Sequence, residues 1–149
     1  MNLSALLRKK LKDDDVLEVL ESYQIEKVVY DFDRTHENLE DVYWAAAEAA
    51  GFQLRFNRDQ VLDVIFCYIV ADEGFAAISP GIVGAPLYGT FDDAEHACKG
   101  SGIRYSTSDS AKGPKDHKWW LRVESADHWS HYQFQDGSLF RVTLSLPKP

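Results

Sequence analysis

A self-similarity at a single offset of 78 residues constrains the fold of this 149-residue chain more than any other feature. When the chain is shifted by that offset without gaps, Leu54–Phe56 lies over Tyr132–Phe134, and Val61–Val64 lies over Leu139–Val142. Few residues are identical, but the apolar pattern agrees at both ends of a long window. Because self-similarity at a fixed offset is typical of repeated structural units, the sequence predicts a duplication.

Each predicted unit begins with acidic residues ahead of an apolar periodic stretch, a pattern that favours a helix N-terminus. The units span about 13–70 and 91–147 of one single domain. The second helix should cover about Asp92–Lys99, because the glycines that follow are typical of a helix end. A strand should come next in each unit, near Ile25–Phe32 and near Ile103–Thr107.

A hairpin should close each unit. Apolar and polar residues alternate on both sides of Asn57–Gln60 and of Gln135–Ser138, and the Asp-Gly pair in the second turn is a strong hairpin signal. We therefore predict an α+β fold. It consists of a duplicated unit of one helix followed by antiparallel strands, with the helices packed on one face of the antiparallel sheet.

Two segments do not fit this pattern easily. By propensity, Glu37–Gly51 reads as a helix, whereas the repeat aligns part of it with the alternating Trp119–Glu124, so we predict a strand over Val42–Ala46. Ser106–His117 is polar and contains Gly and Pro, which predicts a loop.

The segment of residues 74–90 joins the two units and is apolar but interrupted by Gly and Pro. Its apolar residues are too hydrophobic for free solvent, so they either pack in the core or form a contact surface. They are Phe75, Ile78, Ile82, Val83 and Leu87. Core packing is the favoured interpretation.

The charge of the chain is unevenly distributed. The net charge is −8, and residues 13–95 hold 19 acidic and 4 basic residues. Such a field repels nucleic acid and attracts basic partners, although a net charge of this size also serves solubility alone. The basic and aromatic cluster around Trp119 and Trp120 is therefore a weak indication of nucleic-acid binding.

No motif with catalytic or metal-binding spacing is present in the sequence, so we predict no catalytic residue, no metal ligand and no cofactor. His128 and His131 would lie on opposite faces of a strand. Cys67 and Cys98 lie in apolar contexts and are expected to be reduced core residues. The N-terminus does not read as a signal peptide and no apolar run is long enough to cross a bilayer, so we expect a cytoplasmic protein. Because catalytic motifs are missing from the sequence, we also expect that the protein is not an enzyme.

The order of elements resembles a known group of proteins. An acidic helix and a strand are followed by Gly51–Phe56 (Gly-Phe-x-Leu-x-Phe), an apolar strand ending in Phe66–Ile69, Asp72–Phe75 and Pro86–Gly89. Over most of residues 12–147 this resembles small bacterial immunity partners of secreted polymorphic toxins. The helix-then-hairpin unit also resembles a small lipoprotein domain of the outer-membrane assembly machinery, but the lipobox cysteine is missing.

The resemblance implies a protein that binds and neutralises a cognate toxin domain, as a monomer or a dimer, and it transfers no specific binding residues. Many such toxins act on nucleic acid and are basic, so an acidic inhibitor would gain association rate and specificity. The candidate toxin-binding residues are acidic residues outside the core pattern and four aromatic anchors: Asp13, Asp14, Asp15, Glu18, Asp33, Glu37, Glu40, Asp41, Tyr43, Trp44, Asp72, Glu73, Phe75 and Trp129.

Two other functions stay open from the sequence. The apolar residues 74–89 would suit a structural or assembly adaptor if their side chains were exposed. The many carboxylates would suit a small hydrolase if two of them met in a cleft with raised pKa values.

Overall fold

The computed structural model describes residues 2–32, 40–108 and 119–148. Its two α-helices in this part of the chain are α1 (Asp14–Ser22) and α2 (Phe91–Ser101), and short 3₁₀ turns occur at Leu3–Leu6, Glu48–Ala50 and Pro80–Ile82. The strands are β1 (Val28–Asp31), β2 (Val42–Ala47), β3 (Phe52–Phe56), β4 (Leu62–Tyr68), β5 (Tyr105–Thr107), β6 (Trp119–Glu124), β7 (Trp129–Gln135) and β8 (Ser138–Ser145).

All eight strands form one antiparallel sheet in the order β1-β2-β3-β4-β8-β7-β6-β5. Four strands from each half of the chain form a meander, and the last strands of the two meanders pair with each other. In this central pair, Ile65 lies opposite Leu144 and Cys67 lies opposite Val142, and all four side chains are buried. The strands of both halves therefore bury their apolar side chains in one common layer.

The predicted fold class is wrong, because the molecule is mostly this single eight-stranded sheet rather than a duplicated helix-and-strand unit with helices covering one sheet face. The two helices are short and contribute few buried side chains, which leaves much of the apolar face to be covered by other segments. Irregular segments complete that cover with Leu3, Leu6, Leu7, Ile78 and Val83.

The strands alternate between the core and the opposite face of the sheet, which we call the open face. In β3, Phe52, Leu54 and Phe56 are fully buried in the core, as the alternation in the sequence predicts. The partners of Gln53 and Arg55 in the pairing register also lie on the open face. Its central residues are Trp44, Gln53, Arg55, Val64, Phe66, Trp120, Arg122, Trp129, His131 and Thr143.

Several local predictions are confirmed. The strand predicted over Val42–Ala46 is present as β2. Of the apolar linker residues, Phe75, Ile78 and Val83 are buried, whereas Ile82 and Leu87 are partly buried against the core. Cys67 and Cys98 are free and buried. The predicted loop at Ser106–His117 begins later than expected, since its first two residues belong to β5, and residues 109–118 lie outside the described part of the chain.

The predicted turns have the expected side-chain chemistry. In the β3–β4 turn, Asn57 Oδ1 accepts hydrogen bonds from the backbone N–H groups of Asp59 and Val61 at 2.9 and 3.1 Å. In the β7–β8 turn, Asp136 and Gly137 have φ values of +52° and +83°, which suits the tight turn that an Asp-Gly pair favours. In the described residues, no helix is both long and apolar enough to span a membrane.

Gly51 allows a close backbone contact that positions the linker. It has φ of +82°, and a Cβ built on it would lie 2.6 Å from the backbone nitrogen of Ile78. Gly74 has a similar φ of +87° with nothing within 4 Å of the corresponding Cβ position. The two glycines thus share a backbone conformation and differ in available space.

We expect Gly51→Ala to lower the free energy of unfolding by about 3 kcal/mol or more, because the methyl group adds a backbone clash to the strain of a left-handed conformation. Gly74→Ala should cost only about 1–2 kcal/mol, since it carries the strain alone. Urea denaturation of both variants checks this difference. Equal losses would mean that the linker is not held against Gly51.

Candidate functional site

The edge of the sheet formed by β1 exposes large apolar side chains. The exposed fractions are 46% for Val29, 45% for Tyr30 and 44% for Phe32. In the described residues β1 pairs with β2 on one side and with no strand on the other, which leaves these side chains only half covered. We call the segment Val28–Phe32 the β1 edge.

Aromatic stacking orders the β1 edge. The Tyr30 ring centroid lies 5.6 Å from that of Phe32 and 4.8 Å from that of Tyr43, and both ring pairs are stacked. The Tyr30 hydroxyl donates a hydrogen bond to Asp41 Oδ2 at 2.8 Å, and this bond raises the pKa of Tyr30. Tyr30 is therefore held as a neutral donor in a row of three rings.

The β1 edge lies in an acidic part of the sequence. The described residues 26–32 and 40–43 contain four carboxylates and one lysine, which gives a local charge of −3. Glu26, Asp31 and Glu40 are exposed, and Glu40 lies 3.7 Å from the guanidinium of Arg55. Two of the predicted binding residues, Asp41 and Tyr43, thus join the exposed rings in one acidic and aromatic surface.

The predicted residues around α1 lie in a different environment. Asp13 Oδ2 accepts a hydrogen bond from the Lys10 backbone at 2.7 Å, and Asp15 pairs with Lys9 at 2.8 Å. Asp15 and Glu18 line a shallow groove of about 660 Å³ between α1 and the N-terminal segment, and Asp14 is exposed beside them. Part of this acidic cluster is therefore already compensated by Lys9.

The predicted residues after β4 have structural contacts. Phe75 is 9% exposed and stacks on Tyr68 with ring centroids 4.2 Å apart, so its ring is already covered by the protein. Asp72 lies 3.4 Å from Arg141, and Glu73 is exposed in a turn with φ of +51°. Phe75 and Asp72 therefore hold the turn after β4 against the sheet. Asp33 and Glu37 lie outside the described residues.

Trp44 and Trp129 both lie on the open face. Trp44 stacks with Phe66 at 6.1 Å, and the guanidinium of Arg122 lies 4.4 Å from the centroid of Trp129. Phe66, Arg122 and Trp129 line an open groove of about 600 Å³, together with polar side chains from β3, β4, β7 and β8.

The groove holds ionisable groups whose pKa values are set by burial. Burial, and secondarily the charge of Arg122, lowers the pKa of His131 to about 4, so this imidazole is neutral at neutral pH. Burial raises the pKa of Asp63, and the guanidinium of Arg55 at 3.4 Å opposes that shift. Glu40 approaches the same guanidinium.

Cys67 offers no reactive thiol, because burial raises its pKa to about 12. In residues 2–32, 40–108 and 119–148, no cluster of three His, Cys, Asp or Glu side chains could hold a metal ion.

Comparison with known proteins gives no match to a family model, a curated protein or a solved structure. The function is therefore inferred from the surface of the molecule itself.

The exposure of Val29, Tyr30 and Phe32 was not predicted from the sequence. The strand at Ile25–Phe32 was predicted, but apolar residues in a strand are normally assigned to the core. Their exposure follows from the position of β1 at the end of the strand order, and no local pattern encodes that position.

The neutral His131 should make stability depend on pH. Its folded pKa of about 4 lies below the ordinary value of 6.5, so the unfolded chain binds more protons between those pH values. We expect stability to fall as pH drops from about 6.5 to 4, with His131 contributing up to about 3 kcal/mol. His131→Gln should weaken this dependence in urea denaturation series. An unchanged slope in the variant would show that His131 is not desolvated.

Proposed function

We propose that this chain is an immunity protein that binds and neutralises a cognate secreted bacterial toxin domain carrying a basic surface. The observation that supports this most directly is the exposure, close to 45%, of Tyr30 and Phe32 on one side of β1 and of Val29 on the other side, along an acidic strand edge. Large apolar side chains exposed together, as in the stacked pair of Tyr30 and Phe32, are typical of a contact site for another macromolecule.

Apolar burial and charge complementarity would act together at this surface. Burying a large apolar side chain contributes about 1.5–3 kcal/mol, so three half-exposed side chains supply a useful share of the binding energy. Carboxylates around such anchors favour a basic partner, because complementary charge raises the association rate and excludes other partners. A toxin that uses basic residues to hold nucleic acid would have those residues covered in the complex.

The adaptor alternative has lost its main support. It requires exposed apolar side chains in residues 74–89, such as Phe75, Ile78 and Ile82. Phe75 and Ile78 are buried, and Ile82 is partly buried against the core. The hydrolase alternative requires two carboxyl groups with raised pKa values in one cleft, and in the groove of the open face the raised pKa is that of Asp63, beside an arginine-paired Glu40.

The proposal is tested by asking whether the gene directly upstream encodes a toxin C-terminal domain, and by purifying that domain in a form without activity. We expect co-purification with the full chain, a Kd of about 1 μM or tighter, and at least tenfold weaker binding between about 50 and 500 mM salt. Isothermal titration calorimetry measures both quantities. Absence of binding would refute the immunity function, and a Kd independent of salt would refute the charge argument.

A charge reversal at the β1 edge should weaken this complex selectively. Asp31 is exposed in β1, so Asp31→Lys should raise Kd about tenfold or more. The matched control is Asp93→Lys in α2, which makes the same change in net charge on a helix packed against β6, near the other end of the sheet. We expect less than about a threefold effect from the control. Equal effects of the two variants would place the contact elsewhere.

A further inference from the structure

We infer that the basic partner binds by adding an extended strand to the outer edge of β1. This inference rests on the proposed function and deepens it, because it names the backbone groups and the partner conformation. A sheet edge offers main-chain hydrogen bonds to an extended segment, while side chains of both strands determine specificity. The occupant is a lysine- or arginine-bearing segment of the partner protein.

The hydrogen-bond pattern of the sheet is fixed by one bond between β4 and β3. The Tyr68 backbone N–H donates to the carbonyl of Gly51 at 2.9 Å. Along an antiparallel strand, the backbone groups of successive residues are directed alternately to the neighbour on one side and to the neighbour on the other. Since Gly51 bonds to β4, the next residue, Phe52, and every second residue after it bond to β2. Leu54 is one of these residues, and its partner on β2 is Ala45.

The same alternation then gives the direction of the backbone groups of β1. Because Ala45 bonds to β3, its neighbour Trp44 bonds to β1, where it lies opposite Val29. The N–H and C=O groups of Val29 are therefore directed toward β2. Those of Val28 and Tyr30 are directed outward, away from the sheet, where an added strand would receive them.

The two edges of the sheet differ in how they are protected. Strand β5 has three residues, all half-buried, and the hydroxyl of its Ser106 contacts Glu124 and Arg122 at 3.3 Å. Strand β1 has three exposed residues and contains no proline, lysine or bulge, the features that usually prevent pairing at an edge. The β1 edge is thus the more accessible of the two.

Charge selects a basic segment over a second copy of this chain. Two β1 edges would bring together surfaces with a local charge of −3 each, which opposes self-pairing. A basic strand would instead bring cations close to Asp31, and its apolar side chains could cover the ring of Tyr30. The same pairing would satisfy the outward backbone groups of Val28 and Tyr30.

A matched pair of variants isolates the backbone contribution. Tyr30→Val removes the ring and keeps the N–H group, whereas Tyr30→Pro removes both. Proline is tolerated at an edge position whose N–H faces outward, so both variants should fold. The probe is a capped seven-residue peptide in which lysine alternates with valine, and the control peptide carries glutamate in place of lysine.

We expect the lysine peptide to bind the full chain with a Kd below about 1 mM and the glutamate peptide not to bind. Tyr30→Pro should bind the lysine peptide at least fivefold more weakly than Tyr30→Val. Hydrogen exchange of the wild-type protein gives a second readout: the amide of Tyr30 should become protected when the peptide is bound. This readout holds even if the proline variant does not fold.

Four results would overturn the inference: no binding of the lysine peptide, equal binding of the two peptides, equal affinities of the two variants, or an unprotected Tyr30 amide. A wild-type dimer that Tyr30→Pro dissociates would assign the edge to a second copy instead. If the upstream toxin domain binds while these peptide results are negative, the immunity function stands and strand addition fails. If the peptide binds while the toxin domain does not, strand addition at the β1 edge stands and the immunity function fails.

Discussion

The pairing of β4 with β8 is the constraint on which the rest of this structure depends. It joins the last strands of two meanders, and its buried pairs, Ile65–Leu144 and Cys67–Val142, form the centre of the core. Without it, each half would have an open edge at the strand that carries these buried side chains. With it, the two halves share one hydrophobic layer that needs a cover, which the short helices, the N-terminal segment and the apolar linker provide together.

This central pairing also determines which strands lie at the edges. Since β4 and β8 occupy the middle, the strands farthest from them in each meander, β1 and β5, become the outer strands. The surface chemistry therefore divides into a structural part, in which arginines on the open face are paired with acids, and the less covered β1 edge with its stacked rings. The proposed binding function uses the second part and leaves the first to stabilise the sheet.

The sequence predicted local structure well because local structure depends on periodicity and turn chemistry. Alternation indicated β3, β4 and β8, Asp136 and Gly137 indicated a turn, and the repeat indicated a strand at Val42–Ala46. Strand order is not encoded in alternation, so the single sheet was not predicted. For the same reason Tyr30 was assigned to a strand without its exposure being recognised. Phe75 was taken as an anchor although it is buried, because its stacking on Tyr68 is a tertiary contact that no local pattern encodes.

The stacked row of Tyr30, Phe32 and Tyr43 stands on a strand that has one described neighbour, β2. Substitutions there disturb little of the packed interior, since the central strands keep their partners on both sides. A lineage could therefore alter its recognition residues step by step while conserving the scaffold. Such separation of recognition from folding would let an immunity protein keep pace with a toxin that diversifies its own surface.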